Sequence, residues 1–270
     1  MNYRSFIRGM ISVVAMSLAV AAFAAGRATQ PSICSRSCWG ARAPSGTISQ
    51  MSALNRAVIH HTAQPNDYNT NSQSESAALV RAIQNLHMDV NGWSDIGYHF
   101  LVDKLGNRFE GRYTSITQMP RGAHDAVNTN SFGFNVMGYM HSPYNQQPTT
   151  AQRQALYDLI AWKIPDPFTG YGSGTYNNKT VGYICGHRDV GATACPGDLM
   201  YQYIGTNFYG GEARNEVNKR IVGVEVIVDN ASSNFTASSS WFASTSTSGY
   251  YGTNYHARAT AAVSDPAKWT

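Results

Sequence analysis

Charge is what this sequence has least of. Only 13% of its 270 residues are Asp, Glu, Lys or Arg, too few for the charged faces of a coiled coil or a helical bundle. No dense Lys/Arg stripe is visible, which removes nucleic acid from the expected partners. Beyond residue 25 no apolar run approaches the ~20 residues that span a bilayer. Cysteine is limited to Cys34, Cys38, Cys185 and Cys195. Apolar matter is plentiful by contrast: 43% of the chain is hydrophobic, with 24 Gly and 16 Tyr. That excludes disorder, suffices for one full core plus a small extra module, and suits short strands joined by ordered loops.

The first 25 residues read as an export signal. Arg4 and Arg8 form a basic start, Met10–Ala25 is an apolar run, and Ala22-Phe23-Ala24 offers the small-x-small pattern of a cleavage site. An uncleaved anchor is the alternative, but the run is too short to cross a bilayer. Cleavage lowers the net charge from +4 to +2, since Arg4 and Arg8 leave without any acid. The mature protein is expected to be secreted, extracellular or periplasmic, and off the membrane. An oxidising compartment permits Cys34–Cys38 and Cys185–Cys195 bridges. The first would close a loop short enough to strain the bond. For Cys195 the second competes with metal ligation, and both pairings stay open.

Elements alternate along the chain. Arg56–His61 is a short β-branched run. Ser72 and Glu75 form a capping box, followed at helical spacing by Leu79, Ala82, Ile83, Leu86 and Val90 up to a stop at Asn91-Gly92. Ile96–Asp103 alternates as a strand, Lys104–Asn107 turns, and Arg108–Gly111 returns as a hairpin. The long loop 112–130 has the length of a functional loop. Ser131–Met140 is a strand, Thr149 and Gln152 box a second helix, Val181–Ile184 is a short strand, and Gly197–Ile204 is helical. The interleaving predicts an α/β fold, a mixed central sheet with helices packed on it.

Composition shifts near Gly210. Ile221–Val228 reads as a strand, and 231–260 is a nearly uncharged Ser/Thr/Ala/Tyr tract carrying Phe235, Trp241, Phe242, Tyr250, Tyr251 and Tyr255. Linkers seldom hold so many aromatics, yet some 50 residues cannot bury a stable sandwich alone. The tract resembles the opening of golvesin- or xanthan-lyase-type β modules, which implies an incomplete C-terminal β module. The expected organisation is a signal at 1–25, a catalytic domain at 26–212, and a linker with truncated module at 213–270.

Three stretches carry the chemistry: His60-His61-Thr62 at the end of the first strand, Tyr98 within Trp93–Phe100, and Gly186-His187-Arg188-Asp189 followed by Thr193-Ala194-Cys195-Pro196-Gly197-Asp198. Two imidazoles and a thiolate suit Zn²⁺, which in catalytic sites takes three protein ligands and leaves one position open. Period-two alternation sends His60 and His61 to opposite faces, so one of them at most joins the site. His187 and Cys195 are seven residues apart with Gly191 between, a loop able to fold back on one ion. Taken singly each has a blander reading: a structural His pair, a disulfide cysteine, a core tyrosine.

From Ser37 to Ile204 the chain resembles the peptidoglycan recognition proteins and the zinc-dependent N-acetylmuramoyl-L-alanine amidases. The resembling stretches are Trp39–Arg42, Val58–Thr62, Leu86–Met88, Gly92–Phe100, Glu110–Arg112, Gly122–His124, Gly186–Asp189 and Thr193–Asp198. The resemblance implies one zinc per chain held by His60, His187 and Cys195, catalytic roles for Tyr98 and Thr193, and a muropeptide cleft near His87, His124 and Asn128. It implies hydrolysis of the amide between muramic acid and L-alanine, by a monomer whose partner is peptidoglycan. A receptor that only binds peptidoglycan and a wall adhesin built on the aromatic tail are the competing expectations. Glu110 is a weak candidate base, for which a salt bridge to Arg112 or exposure is the expected explanation. Trp93 is expected in the core, with a place on the cleft wall as the alternative.

Overall fold

The computed structural model describes residues 28–222 except 126, 127, 166, 167 and 177, together with short strands at 235–236, 242–244, 255–257 and 268–269. The expected export signal lies outside the described residues. Among the described residues no helix is long and apolar enough to cross a membrane.

In chain order the elements are β1 (Arg56–His61), α1 (Gln73–Asn85), β2 (Phe100–Val102), β3 (Arg108–Glu110), β4 (Ser131–Val136), α2 (Thr150–Lys163), β5 (Ser173–Tyr176), β6 (Lys179–Gly182), β7 (Ile184–Gly186), the single turn α3 (His187–Val190), α4 (Asp198–Ile204) and α5 (Glu212–Val222). Four short strands follow: β8 (Phe235–Thr236), β9 (Phe242–Ser244), β10 (Tyr255–Ala257) and β11 (Lys268–Trp269). The central sheet runs β3-β2-β4-β1-β7. Only the β2–β3 hairpin is antiparallel; β2, β4, β1 and β7 are parallel. The expected mixed sheet with packed helices is therefore present.

Both faces of the sheet are covered, which is why β1 and β4 are buried at every position. One face turns Ile59, Phe100, Phe134 and Val136 toward α2, α4 and α5. On the other, Leu101 joins Val80 and Ile83 of α1 and Trp39. The register sets His60 beside Asn135 and Asn135 beside Leu101. His60 and Asn135 thus stand on the α1 face, at the carboxyl end of the parallel strands, where α/β folds place their sites.

Several elements differ from expectation. The strand expected over Ile96–Asp103 is limited to three residues, because Ile96 and Gly97 give their amides to the Asp95 carboxylate and to His87 Nδ1. Helix α1 does open on the Ser72 cap, with Glu75 N–H donating to Ser72 Oγ at 3.3 Å. It ends in a π-helical turn, Leu86–Val90. Its buried face is Ser76, Val80, Ile83, Gln84 and His87, while Leu86 and Val90 are exposed. Polar residues take the sheet side because each is paired there: Ser76 Oγ with Asp103 Oδ2 at 2.5 Å, Gln84 Nε2 with Asp95 Oδ1 at 2.7 Å.

The strand expected from Ile221 is, at Ile221 and Val222, the last turn of α5. Ala213, Val217 and Ile221 recur at helical spacing and enter the main core beside α2 and α4, so residue 213 lies within a helix of the core rather than opening a linker. Between them Arg214 is almost fully buried and binds the carbonyls of Ile184, Ile204, Gly205, Asn207 and Gly210. In the tail β9 pairs with β10 and β8 with β11, both antiparallel; the remainder of the expected C-terminal module lies outside the described residues.

Candidate metal centre and cleft

His60, His187 and Cys195 converge. One ligand atom from each lies within 4.8 Å of the other two. His60 Nδ1 is 3.7 Å from Cys195 Sγ, and the His60 and His187 ring centroids are 4.5 Å apart. His61 turns to the opposite side, where its Nδ1 accepts from Met140 N–H at 3.1 Å. The alternation of β1 thus admits His60 alone to the cluster.

The loop from His187 to Cys195 folds back as the Gly191 spacing suggests. Asp189 accepts from Gly186 N–H at 2.8 Å and from the Tyr201 hydroxyl at 2.6 Å, fixing the turn that carries His187. Arg188 N–H donates to the Cys195 carbonyl at 2.9 Å and closes the loop. Gly197 holds a positive φ of 84°, and a Cβ there would sit 2.6 Å from the Met140 backbone. Only glycine lets the cysteine loop pack down on the strand end.

Cys195 and Cys185 are both free thiols, so the Cys185–Cys195 pairing does not form. Cys185 is buried on β7 against the Ala57 carbonyl. Cys34 and Cys38 are bonded to each other.

Electrostatics prepare the donors for a cation. Burial holds His60 well below the usual imidazole range and also lowers His187, so both rings are neutral and have a lone pair to offer. Burial pushes the Cys195 thiol up to about 12, against the pull of the His61 backbone N–H and Arg188. A thiol buried among imidazoles is poorly solvated as a thiolate until a cation arrives. Two nitrogens and a sulfur in this span fit the three-ligand, one-open-position pattern of zinc.

Tyr98 lies beside this cluster, its ring 5.3 Å from His60 and 5.4 Å from His87. Burial raises its hydroxyl far above the ordinary range, so it stays protonated and acts as a donor. His87 sits on the π-helical turn with Nδ1 accepting from Gly97 N–H at 3.1 Å, which leaves its other nitrogen as the N–H donor. Trp93 lies tilted against His87 with ring centroids 4.7 Å apart and is 36% exposed, so it is not the core residue expected.

His124 is brought against the cluster from behind: its Nδ1 is 3.0 Å from His60 Nε2. Gly133 and Gly122 make room for it, since a Cβ at either would fall 2.6 Å or less from the His124 ring. Asn128 is engaged in the loop itself. Its Oδ1 accepts from His124 N–H at 2.6 Å and Asp125 N–H at 3.0 Å, so it shapes the loop that presents His124. Thr193 is exposed, and its hydroxyl accepts from Cys195 N–H at 3.1 Å.

Glu110 is neither exposed nor paired with Arg112. It is buried, and its carboxylate accepts from Arg36 N–H and Ile116 N–H. Arg112 donates instead to the carbonyls of Arg121 and Ile96. Asn135, Asp67 and Asp125 were not singled out by their sequence context, yet all three bear on the site. Asn135 is fully buried, in register beside His60, and its amide faces the Tyr98 phenol. The strand alternation that separates His60 from His61 was the available signal for Asn135.

Residues 50–198 match the family described as N-acetylmuramoyl-L-alanine amidase. The chain belongs to this amidase family. It is 33% identical over 198 residues to peptidoglycan-recognition protein SC1a of Drosophila melanogaster, covering 72% of this chain and 96% of that one. Among solved structures it is similar to Drosophila peptidoglycan recognition protein SD, with TM-score 0.54 and 28% identity over 67% of this chain and 99% of that one. It is also similar to peptidoglycan recognition protein-LE in complex with tracheal cytotoxin, a monomeric diaminopimelic acid-type peptidoglycan, with TM-score 0.53 and 27% identity over 67% of this chain and 97% of that one. The fold is that of the amidase family, whose members usually bind zinc, and the His60–His187–Cys195 cluster is a donor set suited to it.

Proposed function

We propose that this amidase-family chain is a zinc hydrolase. It cleaves the amide between the lactyl group of N-acetylmuramic acid and L-alanine in peptidoglycan, and works outside the cytoplasm after export. The observation that carries this reading is the free Cys195 thiol gathered with two neutral imidazoles within 4.8 Å. A chain that only bound peptidoglycan would have no use for a buried thiol whose proton must be displaced.

His60, His187 and Cys195 would hold the ion, Cys195 as the thiolate with its proton released to solvent. When bound there, zinc would supply a water with its pKa lowered from ~15.7 to about 7 and would polarise the scissile carbonyl. Tyr98, kept protonated by burial, donates its O–H to the carbonyl oxygen as negative charge builds there. The His87 N–H that faces away from Gly97, and the Trp93 ring beside it, position the muropeptide. Thr193 acts by fixing the Cys195 backbone, and Asn128 by fixing His124.

The test pairs elemental analysis with release of new L-alanine amino ends from purified sacculi. One zinc per chain, and amino ends that vanish with chelator and in Cys195→Ser, are expected. A metal-free chain, or release that persists without metal, overturns the reading.

A further inference from the structure

The sulfur and two imidazoles of the cluster carry one negative charge once Cys195 is deprotonated, so a loaded Zn²⁺ leaves a buried net charge of +1. A buried charge needs a partner. Asp125 is placed to be that partner. Its carboxylate is 2% exposed and lies 3.5 Å from His124 Nδ1, the same nitrogen that stands 3.0 Å from His60 Nε2.

Asp125 is also tightly held. The Tyr176 hydroxyl, from the β5–β6 hairpin 51 residues away, lies 2.8 Å from both carboxylate oxygens. Asn128 N–H donates to Oδ1 at 2.7 Å. The Tyr176 ring is itself pinned beneath the Arg56 guanidinium at 4.1 Å. Arg56 is itself a buried cation.

We propose that Asp125 is the charge-compensating positioning residue of this metal centre, acting through His124 on His60, with Tyr176 locking it in place. The inference rests on the zinc reading above. Asp125 touches neither ion nor substrate in this role. It sets the electrostatic cost of placing a cation on buried ligands.

The test uses the full exported chain, with zinc affinity read by competition against a chromophoric chelator. Asp125→Asn keeps an oxygen for the Tyr176 and Asn128 donors and removes the charge. It is expected to weaken zinc binding by roughly 10–100-fold, the usual cost of losing an outer partner of a ligand histidine. The thermal midpoint of the metal-free protein should not fall. Tyr176→Phe, which keeps the ring under Arg56, should weaken zinc in the same direction by less. Affinity within twofold of the parental chain in both variants overturns the proposal. So does a loss of affinity matched by a fall in metal-free stability, which would mark a merely structural role. A parental chain that takes up no zinc at all refutes the reading of the preceding subsection and this one with it.

Discussion

His60 Nε2 and His124 Nδ1 stand 3.0 Å apart inside the protein and share a single hydrogen. Which ring owns it is decided on the far side of His124. There Nε2 lies 3.3 Å from Ser131 Oγ, an acceptor for a hydrogen on that nitrogen. With its own hydrogen on Nε2, His124 has only a lone pair to offer at Nδ1. His60 must then be the donor at Nε2, which leaves its Nδ1 lone pair facing Cys195 Sγ at 3.7 Å. The tautomer that can bind a cation is thus set before any cation arrives.

His124→Phe removes that acceptor while keeping a flat ring in the space left by Gly133. Zinc affinity is expected to fall by roughly 10–100-fold, with binding still measurable because all three ligands remain. Chelator competition reads it directly. An unchanged affinity would mean that His60 orients itself without help.

Tyr98→Phe separates donor chemistry from metal binding. The phenol is protonated and next to His60, but it is no ligand, so zinc content should stay at the parental value. Turnover on sacculi should drop by ~10²–10³, the usual effect of losing one oxyanion donor. Equal turnover in the two proteins would remove Tyr98 from the reaction.

The parts of this design that sequence makes readable are those written in neighbouring residues. The caps at Ser72 and Thr149, the alternation of β1 and the return through Gly191 are of this kind, and each is found in the structure. Relations between distant residues are not readable in this way. Asp125 is inconspicuous until Tyr176 reaches it from another hairpin. Glu110 resembles a surface carboxylate until Arg36 and Ile116 bring their amides to it. The inward face of α1 is one residue out of step with its most apolar stripe, because Ser76 and Gln84 find buried partners that hydrophobic periodicity ignores. Helix α5 escapes notice for a related reason: its third residue is an arginine that belongs in the core.

That arginine supports the end of α4. Its guanidinium collects carbonyls at the helix C-terminus, including Asn207 at 2.9 Å, and reaches the Ile184 carbonyl of β7 at 2.7 Å. Arg214→Met keeps the stem but leaves those acceptors buried and unpaired. A loss of about 3 kcal/mol is expected, given ~1.5–3 kcal/mol for a hydrogen bond to a charged group. Urea unfolding of the metal-free protein measures it. A change below about 0.5 kcal/mol would show that solvent replaces the guanidinium there.

Asp67 gives the stability a pH dependence of its own. It is buried after β1 with Oδ2 unpartnered in the protein, and burial raises its carboxyl from 3.8 to about 6 although the Thr62 hydroxyl pulls the other way. Because the folded state holds this proton more tightly than the unfolded chain, its contribution is complete below pH 3.8. It is lost as pH rises through about 6. At neutral pH the folded protein therefore carries an ionised, poorly solvated carboxylate. Asp67→Asn removes that ionisation, so it should raise the stability of the metal-free protein by about 2 kcal/mol at pH 7.5 and leave it nearly unchanged near pH 4. Paired urea titrations at the two pH values decide the matter. A variant destabilised at pH 7.5 would mean that the carboxylate is favourably partnered in the folded protein, for instance through ordered water near Tyr98.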